Sequence, residues 1–147
     1  MYRFFSLIIC IFILLIKTSK NSAFDLKVSN ILRDERCAIS IKVENSGKDR
    51  IDSRLIRAMS LKVTGQLRCD NKIREEFKKF LVLPNFLVIP DYETTIRTGL
   101  SIDTSNGCKA NIIAEIYKDD TPLVDDNLIN NLYYRDFSGP CDIFIIN

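Results

Sequence analysis

Cys37-Ala38-Ile39-Ser40-Ile41-Lys42-Val43-Glu44 alternates without a break. Cys37, Ile39, Ile41 and Val43 take one side, while Ser40, Lys42 and Glu44 take the other. Period two is the signature of a half-buried strand, because successive side chains of an extended backbone point to opposite faces. Asn45-Ser46-Gly47 follows as a turn. The same alternation returns from Met59 to Cys69, with Met59, Leu61, Val63, Leu67 and Cys69 on the apolar side and Lys62, Thr64, Gln66 and Arg68 opposite. It returns again in Tyr92, Thr94, Ile96, Thr98, Leu100 and Ile102, a run ended by Asn106-Gly107.

Outward from these runs, Ala110–Tyr117 is more evenly apolar, as a strand covered on both faces would be. Leu128–Arg135 and Cys141–Ile146 are two further strand candidates, and Leu26-Lys27-Val28 reads as a short edge strand. One segment departs from the pattern. Ile73, Phe77, Phe80 and Leu81 fall at helical spacing, which predicts a short amphipathic helix over Lys72–Leu81. Pro84 and Pro90 confine Phe86–Ile89 to an edge or a bulge. About seven strands with at most one short helix predict an antiparallel β-sandwich, of transthyretin-like or immunoglobulin-like kind. No Gly- or Pro-rich linker divides residues 24–147, so one domain is expected.

The first 23 residues read as an address. Arg3 precedes an apolar run from Phe4 to Ile16, broken only by Ser6, and Lys17–Ala23 is polar. Such a run suits a signal peptide and is short for a bilayer span, which needs about 20 residues. Cleavage after Ala23 predicts a secreted, extracellular protein with no transmembrane segment; the competing reading is an uncleaved signal anchor. The whole chain carries 21 basic and 19 acidic residues, for a net charge of +2. Losing Arg3, Lys17 and Lys20 with the leader makes the remainder slightly acidic. No basic stripe is left for a nucleic-acid partner, and no Asn-x-Ser/Thr acceptor occurs.

His and Trp are absent. Neither a Ser/Cys–His hydrolase nor a His-containing zinc site can therefore be built. The five glycines are isolated, so there is no phosphate-cradling loop. A non-enzymatic protein without a cofactor is expected.

Cys10 leaves with the leader. Cys37, Cys69, Cys108 and Cys141 remain, an even number that predicts two disulfides. Near-equal spacings, and the similarity of Ile51–Ile56 before Cys69 to Val124–Ile129 before Cys141, favour Cys37–Cys69 with Cys108–Cys141. Cys37–Cys108 with Cys69–Cys141 is the rival if the two halves form facing sheets.

The stretch from Lys109-Ala110-Asn111-Ile112-Ile113-Ala114-Glu115-Ile116-Tyr117-Lys118-Asp119-Asp120-Thr121 into Asp125-Asp126-Asn127-Leu128, and then Asp136-Phe137-Ser138-Gly139, resembles the strand–acidic loop–strand segment of the nematode transthyretin-like secreted proteins. Val63-Thr64-Gly65-Gln66-Leu67-Arg68-Cys69-Asp70-Asn71-Lys72 is similar to that family's opening strand. The resemblance implies a secreted transthyretin-like β-sandwich that acts by binding rather than by catalysis.

Two features remain as candidate contact sites. Asp119, Asp120, Asp125 and Asp126 form a dense carboxylate group that could attract calcium, but their spacing matches no EF-hand, and a solvated turn is the expected reading, with no metal. The most apolar stretch after the leader is Phe80–Pro90. Packed, it is core; exposed, its Phe80, Leu83, Phe86, Leu87 and Ile89 form a lip. Two functions follow: a module that binds an apolar small molecule or lipid surface through that lip, or one that binds a receptor or other protein partner through strand edges or the acidic loop.

Overall fold

The computed structural model describes residues 24–119, 121–122 and 131–141. The expected leader (residues 1–23), Asp120, Asp125, Asp126, Leu128 and most of the Cys141–Ile146 candidate lie outside these residues.

Among the described residues, eight strands form two antiparallel sheets. β1 (Leu26–Arg33), β2 (Ala38–Asn45) and β5 (Tyr92–Ser101) make a three-stranded sheet in the order β1-β2-β5. β3 (Met59–Cys69), β4 (Lys72–Val82), β6 (Thr104–Lys118), the short β7 (Thr121–Pro122) and β8 (Leu132–Gly139) make the other. There β4 pairs with β3, β3 with β6, and β6 with both β7 and β8. The chain changes sheet between β2 and β3, between β4 and β5, and between β5 and β6.

The alternation seen in the sequence fills the space between the sheets. Ile39, Ile41 and Val43 of β2 meet Leu61 and Val63 of β3 and Ile112 and Ile116 of β6, all 2% exposed or less. Ala110 and Ala114 alternate with the two isoleucines along β6, so small and large side chains interleave. Ala110–Tyr117 is central as expected, flanked by β3 on one side and β8 on the other.

The helix expected over Lys72–Leu81 is instead β4, which pairs with β3 from Cys69↔Lys72 to Ser60↔Val82. Asp70 and Asn71, both at positive φ (51° and 61°), form the two-residue turn between them. Turns with two positive φ values match the strand twist, and Asp and Asn tolerate them best after Gly. The only α-helix among the described residues is α1 (Ser53–Arg57), capped by Asp52, whose carboxylate accepts from Arg54 N at 2.7 Å. Phe86–Ile89 is not a strand either, since Asn85–Val88 is one turn of 3-10 helix. Asn106-Gly107 lies inside β6, within a register shift between Thr104 and Lys109, and the described part of the Leu128–Arg135 candidate, from Leu132 on, belongs to β8, which runs to Gly139.

Both expected cysteine pairings are corrected. The disulfides are Cys37–Cys141 and Cys69–Cys108. Register explains the second: Arg68 lies opposite Lys109 across β3 and β6, so Cys69 falls opposite Cys108. With Cys69 bonded to its cross-strand neighbour, Cys37 is left to another partner. It sits in the β1–β2 turn at φ 61°, where Asp34 Oδ1 accepts from Arg36 N and Ala38 N. From there it bonds to Cys141, just beyond β8. That bridge ties the two sheets together, whereas Cys69–Cys108 staples neighbouring strands of one.

Candidate interaction surface

The crossover from β4 to β5 carries the lip residues, and alternation divides them. Along β4, Phe77, Lys79 and Leu81 turn inward while Phe80 and Val82 turn out. Leu83 is 2% exposed and Leu87 fully buried, so these two belong to the core. Phe80 (50%), Phe86 (64%) and Ile89 (44%) are exposed. Val82, which the sequence reading did not single out, is the most open of the large apolar residues at 81%.

The backbone beneath these side chains is held from several directions. Asn45, fully buried, donates through Nδ2 to the carbonyl oxygens of Leu87 (3.1 Å) and Ile89 (3.2 Å). Ile51 N donates to Val88 O at 3.0 Å. Leu87 N and Ile89 N close the 3-10 turn onto Pro84 O and Phe86 O. Phe86 leans on Tyr92 with ring centroids 6.0 Å apart. The two buried leucines are thus anchors, and the lip is Phe80 and Val82 at the end of β4 with Phe86 and Ile89 on the turn that follows.

Phe80 also continues onto the outer face of the five-stranded sheet. Its ring meets Tyr117 edge-on at 6.2 Å. Lys62 donates to the Tyr117 hydroxyl at 2.7 Å and lies over its ring, and that hydrogen bond raises the Lys62 pKa. Lys78 Nζ stands 5.3 Å from the Phe80 ring centre. Farther along this face Tyr134 donates to Asp136, which pushes its phenol pKa up. A shallow depression of about 460 Å³ lies there between Thr64, Gln66, Glu76, Lys78, Asn111 and Ile113. The outer face of the other sheet is polar, crossed by the Lys27–Glu44 and Lys42–Glu93 ion pairs at 3.2 and 2.5 Å.

Of the four acidic-loop residues only Asp119 is described; it is exposed and its backbone N–H reaches Ala58 O at 3.4 Å. Cys37, Asp103 and Cys141 bring potential ligand atoms within 4.8 Å of one another. Both sulfurs are committed to the disulfide, so the thiolates a metal would need are not offered. The nearby Arg33, 6% exposed, donates to Thr104 Oγ1 (2.6 Å) and Pro140 O (2.9 Å) and lies over the Phe137 ring, a structural use of its charge. Among the described residues no helix is long and apolar enough to cross a membrane.

No protein-family model matches the chain, and no curated protein does. Among solved structures the chain is similar to the CARDB domain of a Pyrococcus furiosus protein, crystallised with di-metal ions. The likeness has 18% identity and a TM-score of 0.41, and covers 82% of this chain and 97% of that one.

Proposed function

We propose that this β-sandwich is a secreted, non-enzymatic extracellular binding module whose contact surface is the β4–β5 crossover, with a protein as its partner. The observation that carries the reading is the split of residues 80–89 into buried anchors (Leu83, Leu87) and exposed presenters (Phe80, Val82, Phe86, Ile89). A large apolar side chain left in water has a free-energy cost that a partner removes. Fixing its backbone beforehand lowers the ordering entropy lost on binding.

Between the two kinds of partner, two features favour protein over a small apolar molecule or a lipid surface. The inner faces of the sheets meet through buried Ile, Leu and Val side chains, which supports contact at the lip's outer surface rather than between the sheets. Beside Phe86 and Ile89 the chain carries Asn85 and Asp91 rather than bases. The bases near Phe80, Lys62 and Lys78, lie against the Tyr117 and Phe80 rings, an arrangement unlike the open polybasic patch that draws a protein to anionic lipid. Two disulfides suit an oxidising compartment. Native mass spectrometry of protein taken from secreting cells tests the reading. A complex with a discrete protein mass, lost when Phe86 is replaced by Ser, is the expected result. A co-purified lipid mass would transfer the lip to the lipid-binding class.

A further inference from the structure

The free edge of β4 carries its own complement. β4 ends the five-stranded sheet, and among the described residues it pairs with β3 alone. Its middle reads Glu75-Glu76-Phe77-Lys78-Lys79, two acids and two bases arranged symmetrically about Phe77. From this symmetry we infer that β4 is a self-association edge at which a second copy of this chain adds antiparallel, extending one sheet through both molecules.

A two-fold axis normal to the sheet through Phe77 places Glu76 opposite Lys78 and Glu75 opposite Lys79 of the other copy. Directly opposed residues in an antiparallel pair share a face and have Cβ atoms about 5 Å apart, so each acid meets a base. Moving the axis to Glu76 sets Arg74 against Lys78. Moving it to Lys78 sets Glu76 against Phe80 and Glu75 against Leu81. Of these registers only the Phe77-centred one is matched in charge. A two-fold contact repeats each pair, giving four opposite-charge pairs about the axis at Phe77.

The charges involved are available for this use. Within the described residues none of Glu75, Glu76 and Lys78 joins an ion pair. Glu76 accepts a hydrogen bond through Oε1 from Gln66 Nε2 of the neighbouring β3 at 2.6 Å, and its second carboxylate oxygen keeps acceptor capacity for a base across the edge. Lys79 uses one N–H, to Thr98 O at 2.7 Å, and keeps others for a carboxylate. Charged side chains on an edge ordinarily discourage strand addition. Here the same charges admit one strand, an inverted copy of the edge itself, and repel others.

Sedimentation of the oxidised protein, with Glu76→Lys and Lys78→Glu variants, tests the inference. Both side chains are exposed, and neither substitution disturbs the Lys79–Thr98 contact. The wild type is expected to form a concentration-dependent dimer. Each reversal, which sets like charges together twice per dimer, should weaken it about 10-fold or more. An equimolar mixture of the two variants should recover dimer, because the base at position 76 of one variant then faces the acid at position 78 of the other. A monomeric wild type, a dimer that both variants retain unmixed, or a mixture that stays monomeric overturns the inference.

Discussion

Lys79 reaches from β4 of one sheet to β5 of the other, where its Nζ donates to Thr98 O at 2.7 Å. The opposite side of the sandwich is closed in the same manner. Arg135 of β8 donates to Ile31 O (2.6 Å) and Asn30 Oδ1 (3.0 Å) of β1, and Arg33 of β1 donates to Pro140 O beyond β8. Each open side is therefore held by cations bonded to backbone carbonyl oxygens. Replacing Lys79 by Met keeps the aliphatic stem and removes the donor, and should cost about 1–2 kcal/mol in urea denaturation. Lys79→Arg should recover most of that loss.

Arg33 is the more costly position. Its replacement by Met leaves Thr104 Oγ1 and Pro140 O without their donor in a buried setting and removes the contact over Phe137. We expect a loss of about 2–4 kcal/mol, read from the shift of the denaturation midpoint at unchanged slope.

Gly65 marks a close approach of β3 to β6. A Cβ there would stand 2.2 Å from Asn111 O and 2.4 Å from Phe77 Cζ. Gly65→Ala should destabilise by about 1–3 kcal/mol. Shortening Phe77 to Leu in the same chain should not rescue it, because the Asn111 carbonyl is backbone and remains.

Glu93 gives a pH test. The hydrogen bond and charge of Lys42 hold its carboxyl below the usual glutamate value. A depressed folded-state pKa contributes stability that is present above the unfolded value and lost as pH falls through the folded one. The contribution should fade as the pH falls below the ordinary glutamate value of about 4.3 and on through the lowered folded-state value. In NMR titration, Lys42→Met should move the Glu93 carboxyl back up toward its ordinary value.

The sandwich is legible in the sequence wherever one strand face is buried and the other solvated: Ile39-Ile41-Val43, Leu61-Val63 and Tyr92 to Ile102 alternate because the pleat does. β4 is not. As an edge strand it is solvated along most of its length, so nothing enforces alternation in Lys72–Glu76, and Ile73, Phe77, Phe80 and Leu81 coincide with a helical period. Asp70-Asn71, a two-residue turn in sequence, holds the evidence for the hairpin. The disulfides depend on which strands share a sheet, a long-range fact that local spacing does not encode. In the lip, apolar character alone does not separate the exposed Phe80, Phe86 and Ile89 from the buried Leu83 and Leu87. Continuing the strand alternation from Phe80 would set Val82 outward and Leu83 inward, as the structure has them.

The cysteine pairing has a direct chemical check. Tryptic digestion without reductant should link the peptide Cys37–Lys42 to the one beginning at Asp136, and Cys69–Lys72 to Thr98–Lys109. Any other linkage contradicts the arrangement of the two sheets.

The division of labour within the crossover can be separated by stability alone. Leu87→Ala should cost about 2–5 kcal/mol as a cavity in the core. Val82→Asp and Phe86→Ser, on exposed positions, should change stability by no more than about 0.5 kcal/mol.

Whether the crossover is the surface a partner touches can be asked most directly by site-specific photo-crosslinking. A photoreactive side chain at Phe86, with the same group at exposed Glu93 on the other sheet as control, is exposed to the extracellular fluid of the source tissue. One discrete adduct is expected from position 86, abolished by Val82→Asp and absent from position 93. Equal labelling from both positions, or an adduct indifferent to Val82→Asp, would contradict contact at the crossover.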